Sequence, residues 1–141
     1  MDYDADTEAG IQELVRQDPR HPREAYHFVF AGLARAQQMR SAEVGSAGGR
    51  QHVRGPELLE ALRDLALDEF GPLAYRVLCA WNIRRTEDFG RLVFSLIAAG
   101  LLSGTPEDSL VDFADGYEFT SAFVDPFVET GEMPTDLPSI T

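Results

Sequence analysis

The stretch "GPELLEALRDLALDEFGPLAYRVLCAWNIRRTEDFGRLVFSLIAAG", residues 55 to 100, decides the fold. Gly55-Pro56 suits the opening of a helix, because proline's fixed φ fits the first turn and its missing N–H is not needed there. Leu58, Leu62, Leu65, Ala66 and Phe70 then recur at helical spacing. Gly71 is placed to end this helix and Pro72 to begin the next, which carries Leu73, Val77, Leu78 and Trp81. That helix is expected to stop near Asn82. Thr86 is expected to cap a further helix, with Glu87 and Asp88 against its positive end. Phe89, Leu92, Val93, Leu96 and Ile97 give that helix a wide apolar face.

Two helices are expected upstream. Thr7 suits the N-cap of a short one bearing Ile11, Leu14 and Val15, and Asp18-Pro19 ends it, since the residue before proline is pushed out of the helical region. Pro22 suits the first turn of a second, from residue 21 to about 39, with Tyr26, Val29, Phe30 and Leu33 as its apolar stripe. The glycine-rich "RSAEVGSAGGRQ", residues 40 to 51, reads as a mobile loop. Beyond Gly100, "LVDFADGYEF" sets Val111 and Phe113 on one side of an Asp-Gly turn signal and Tyr117 and Phe119 on the other. That pattern suits a small C-terminal β-hairpin, or equally an extended tail whose aromatics dock on the helices. Residues 129 to 141 are polar with two prolines and read as a disordered tail. The expected fold is mainly α: one compact helical domain of about five helices over residues 1 to 128.

Composition bounds the function. A chain of 141 residues, 44% hydrophobic, is long enough to bury a core. One cysteine, Cys79, rules out a disulfide framework and a CxxC metal site. The opening Met1-Asp2-Tyr3-Asp4 lacks an apolar core, so no signal peptide is expected, and the reducing cytoplasm is the expected compartment. The longest near-apolar run, residues 92 to 102, is eleven residues, short of the ~20 a bilayer span needs, so no membrane association is expected. The net charge is -12, and lysine is absent. Residues 16 to 54 hold seven arginines against three acids, whereas from Leu92 onward there are nine acids and no arginine.

In the C-terminal half, helices followed by "AAGLL", a loop and a candidate hairpin follow the order of a winged helix-turn-helix, a likeness of fold only. The candidate wing carries Glu107, Asp108, Asp112 and Asp115, which would repel phosphate, so specific duplex-DNA binding is not expected. A closer resemblance rests on "DPRHPREAYHFV" (18 to 29), on residues 52 to 90 ending in "WNIRRTEDFG", on "VFSLIAAGLL" (93 to 102) and on "DFADGYEF". Together these resemble an uncharacterised family of small bacterial proteins, a domain of unknown function, over about residues 11 to 123. The resemblance implies a small, mostly helical cytoplasmic domain and brings no activity, substrate or catalytic residue.

Chemistry-bearing motifs are sparse. The chain has no P-loop, no dinucleotide fingerprint, no GxSxG elbow and no HExxH, and Cys79 sits among Val77, Leu78 and Ala80, where a thiol is ordinarily inert. His21 and His27 are six apart, which does not place two ligands on one helix face. No catalytic residue, metal site or cofactor is therefore expected. Two binding candidates remain. In "DPRHPREAY", Arg20, His21, Arg23 and Tyr26 surround a helix start, where backbone N–H groups attract anions; the alternative is arginines paired with Asp18 and Glu24. In "WNIRRTEDFG", Arg84 and Arg85 stand beside the one tryptophan in the link between two helices. They suit a carboxylate, a phosphate or an acidic partner segment; the alternative is a corner in which Trp81 packs on Phe89, Ile83 plugs the gap and one arginine pairs with an acid. The leading reading is a non-enzymatic protein-interaction module. The alternative is a nucleic-acid or ribonucleoprotein-associated factor using the arginines of residues 16 to 54, and an enzyme with an unrecognised site ranks third. Partner identity and oligomeric state are not encoded in any motif.

Overall fold

The computed structural model describes residues 5–44, 53–104 and 110–130. Every regular element among them is helical. In chain order these are α1 (Ala5–Gln17), α2 (Arg23–Val44), α3 (Gly55–Phe70), a 3-10 turn (Gly71–Leu73), α4 (Ala74–Ala80), α5 (Thr86–Ala98), α6 (Phe119–Phe123) and α7 (Asp125–Thr130). None of the described helices is long and apolar enough to cross a membrane.

The helix boundaries follow local chemistry. Pro56 lies in the first turn of α3, and the Glu57 carboxylate accepts the N–H of Arg54 at 2.8 Å, satisfying a donor at the helix start. Gly71 ends α3 with φ 53°, and with Pro72 in its first turn the 3-10 segment offsets α4 from α3. α4 and α5 close with the same device, a left-handed residue followed by an apolar one, Ile83 fully buried and Leu101 partly so. After α4 the N–H of Asn82 (φ 62°) bonds Cys79 O at 2.9 Å and that of Ile83 bonds Leu78 O at 2.8 Å. After α5 the N–H of Gly100 (φ 78°) bonds Ile97 O at 3.0 Å and that of Leu101 bonds Leu96 O at 2.9 Å.

α2 lies along α3, and its core face is Ala25, Phe28, Val29, Gly32 and Ala36 rather than the stripe of larger residues alone. Tyr26 and Val29 are buried as expected, whereas Phe30 and Leu33 are only partly so. Gly32 explains the shift: a Cβ there would stand 2.3 Å from Leu62 Cδ2, so the absence of a side chain is what lets α3 approach. Arg35 then clamps the pair from outside, reaching Asp64 at 2.8 Å and Asp68 at 2.9 Å. Leu62, Leu78, Ile83, Phe89, Leu92, Leu96 and Phe123 fill the shared core.

Several sequence expectations change. The described residues form seven α-helices instead of about five, and Thr7 lies inside α1 instead of capping it. α2 runs to Val44, so residues 40–44 are helical and not loop; "RSAEV" contains no glycine or proline to stop it before Gly45, and residues 45–51 lie outside the described residues. The same holds for 131–141 of the expected tail, while 129 and 130 complete α7. The hairpin is absent from residues 110–119, and with it the wing. At the Asp115-Gly116 turn (Asp115 φ 51°) the backbone donors go to α5 instead of across a ladder: Asp115 N–H to Glu87 Oε2 at 3.1 Å and Gly116 N–H to Thr86 Oγ1 at 3.0 Å. Phe113 and Phe119 are buried, and the Tyr117 hydroxyl donates to Leu59 O at 3.0 Å. The aromatics of this segment dock on the helices, which is the other arrangement the pattern allowed.

Candidate functional site

The link between α4 and α5 is a rigid corner. Ile83 is fully buried and plugs it. Trp81 is half-buried and packs on Phe28 and Phe70, with ring centroids 5.5 and 5.8 Å away. Phe28 stands between it and Phe89, so the expected direct Trp81–Phe89 contact is replaced by a three-ring relay. Thr86 does not cap α5: Arg85 holds the cap position in extended backbone (φ -156°), and the buried carboxylate of Asp88 accepts the N–H of Arg84 at 2.8 Å and of Arg85 at 3.3 Å. The Thr86 oxygen is instead spent on Gly116.

Asp88 thus fixes the backbone of the arginine pair while leaving their side chains outside. Both are exposed, and among the described residues neither guanidinium forms an ion pair within 4.0 Å, in contrast to the paired arginine of the alternative reading. Arg84 works against the upward push that burial and Cys79 exert on the Tyr75 phenol, which places it on the α4 side. Arg85 acts with Arg91 on the Glu87 carboxylate, whose pKa is lowered first by the N–H of Asp115.

The first candidate segment is tied to this corner. His21 is buried, and its Nδ1 lies 3.0 Å from Trp81 O; a carbonyl only accepts, so Nδ1 carries the proton. The Asn82 side-chain amide donates to Arg20 O at 2.7 Å. Asn82 therefore holds the left-handed turn and the neighbouring loop at once. Arg20 closes a two-toothed pair with Asp18, Nε to Oδ1 at 2.9 Å and Nη2 to Oδ2 at 2.7 Å, and this holds the Asp18 carboxyl down to about 2. Arg23 is exposed and separate.

Beside this seam lies a cleft of about 330 Å³, lined by Asp18, Arg20, His21, Tyr26, Arg91, Phe94, Ser95 and Leu110. Of the six expected binding residues it gathers Arg20, His21 and Tyr26, while Arg23, Arg84 and Arg85 lie outside its lining. Burial raises the Tyr26 phenol, Asp18 adds to the rise and Arg20 opposes it. Arg91 and Ser95 were legible only as polar positions on an apolar helix. Their spacing of four residues, one helical turn, is the local signal that they share a face. Arg91 Nη1 bonds Asp88 Oδ1 at 3.1 Å, so one aspartate anchors both the corner and the cleft wall. Among the described residues no group of three metal-ligating side chains occurs. No family model, no curated protein and no solved structure matches the chain.

Proposed function

We propose that the protein is a non-enzymatic, cytoplasmic interaction module that captures an acidic partner segment at the α4–α5 corner. The observation that supports this reading is the state of Arg84 and Arg85: exposed guanidinium groups on backbone pinned by Asp88, without an ion pair among the described residues. Side chains carried on backbone fixed in this way leave less main-chain freedom to be lost on binding than those on a mobile loop. A net charge of -12 gives such a site selectivity as well, since acidic contacts elsewhere on the surface are repelled.

The nucleic-acid reading finds less support. Of the arginines in residues 16 to 54, Arg16 is bound to Glu13, Arg20 to Asp18, and Arg35 to Asp64 and Asp68. Acids of α1, the following loop and α3 thus pair with three of the seven arginines of that run. Affinity purification from native cells, with the wild-type chain and with Arg84→Ser/Arg85→Ser, tests the proposal. The expected result is a defined partner enriched on the wild type, eluted by salt and lost from the variant at unchanged melting temperature. Equal capture by both chains would discard the reading.

A further inference from the structure

We infer that the cleft beside the corner binds a small organic oxyanion: a carboxylate or phosphate head carried on an apolar body of roughly the size of one aromatic ring. Its volume, about 330 Å³, lies at the lower end of small-molecule sites. Its lining is divided. Arg20 and Arg91 share the polar side with His21, Tyr26, Ser95 and the Asp18 carboxylate, and Phe94 and Leu110 supply apolar surface.

The two arginines keep donors in reserve. Arg20 commits Nε and Nη2 to Asp18, and Arg91 commits Nη1 to Asp88. Among the described residues this leaves Nη1 of Arg20 and both Nε and Nη2 of Arg91, the edge of a guanidinium that meets an oxyanion with two parallel bonds. Asp18 and Asp88 orient the arginines, and they also offset their charge. A bare anion therefore gains little from field alone, and useful affinity requires the apolar body to bury against Phe94 and Leu110 at the same time. That balance separates this site from a general anion trap. The wall is firm because His21 and Asn82 lock the 18–22 loop to the α4–α5 corner. The inference does not depend on the proposed partner site, since Arg84 and Arg85 lie outside the cleft lining.

Calorimetric titration of the full chain with phenylacetate, inorganic phosphate and benzyl alcohol tests it. Phenylacetate carries both features of the ligand, and the other two carry one each. The expected result is saturable phenylacetate binding at least tenfold tighter than either fragment. Arg91→Gln should abolish it, whereas Arg76→Gln, an exposed charge outside the cleft, should not. Because Arg91→Gln also removes a partner of Asp88, Ser95→Tyr serves as a second variant that fills the cleft and spares the ion pair. Phosphate or benzyl alcohol binding as tightly as phenylacetate would overturn the inference, as would binding that survives Ser95→Tyr or an absence of phenylacetate binding.

Discussion

Asp18 reports on the seam from a single carboxyl. Its two-toothed pair with Arg20 holds its pKa at about 2. The unfolded value is near 3.9, so the pair's contribution to stability is complete above that pH and is lost as pH falls towards 2. Carbon-detected NMR titration should place the Asp18 midpoint near 2, and Arg20→Gln should raise it towards, but not fully to, the ordinary value of roughly 3.9, because the backbone N–H of residue 20 still donates to Asp18. The exposed setting of the pair limits its effect on global stability, whatever the size of the shift. Trp81 calls for a different measure. Full burial of its indole would put Trp81→Ala at ~3–5 kcal/mol. Since the ring is half-buried, its loss should fall below that range, while Phe89→Ala, at a fully buried site, should lie within it. Urea denaturation of the two variants gives the comparison.

At the scale of the element, the closing devices of α4 and α5 show what a sequence states openly and what it withholds. Glycine at position 100 is a plain stop signal. Asparagine at position 82 reads as polar punctuation, and its choice over glycine makes sense only once its amide is seen on Arg20 O. Asn82→Gly should keep the turn and lose that bond. Asn82→Val should lose the bond and also force a β-branched residue into the left-handed region, which costs ~1–2 kcal/mol more. Equal stabilities for these variants in urea would mean that the turn is unstrained. Helices were legible because their apolar periods are local. The failed hairpin had the same alternation a strand would show, but Thr86 and Glu87 took the backbone donors of the Asp-Gly turn, and nothing near residue 115 announces that. Thr86 was misread for the complementary reason: it looks like a cap, while Asp88 two residues later does the capping.

For the whole molecule, charge is the governing quantity. The acids of α1 and α3 that answer the arginines of residues 16 to 54 lie close in space, at Glu13, Asp64 and Asp68. Summing charge along the chain missed the Arg35 pairs with Asp64 and Asp68, because those follow the folded surface, whereas Glu13 lies one turn from Arg16 on the same helix. The expected outcome is no nanomolar binding to duplex DNA at ~150 mM salt, where phosphate contacts weaken steeply; a filter-binding or anisotropy titration checks it. The cleft was the least legible feature. Arg20 and His21 stand some seventy residues from Arg91 and Ser95, and no spacing rule joins them.

The seam between loop and corner also sets the order in which the molecule assembles. Contacts of α3 with the 3-10 turn and α4 join near neighbours in the chain, but the His21–Trp81 and Asn82–Arg20 bonds close loops of 60 and 62 residues. Closing such loops costs entropy before any bond repays it, so short-range helix pairs form first and the seam is made late. Interactions absent from the transition state act on the rate of escape from the native state. Stopped-flow chevrons should show His21→Ala unfolding faster than wild type while refolding at nearly the same rate. The lifetime of the binding surfaces is then set by how long one imidazole stays on one carbonyl.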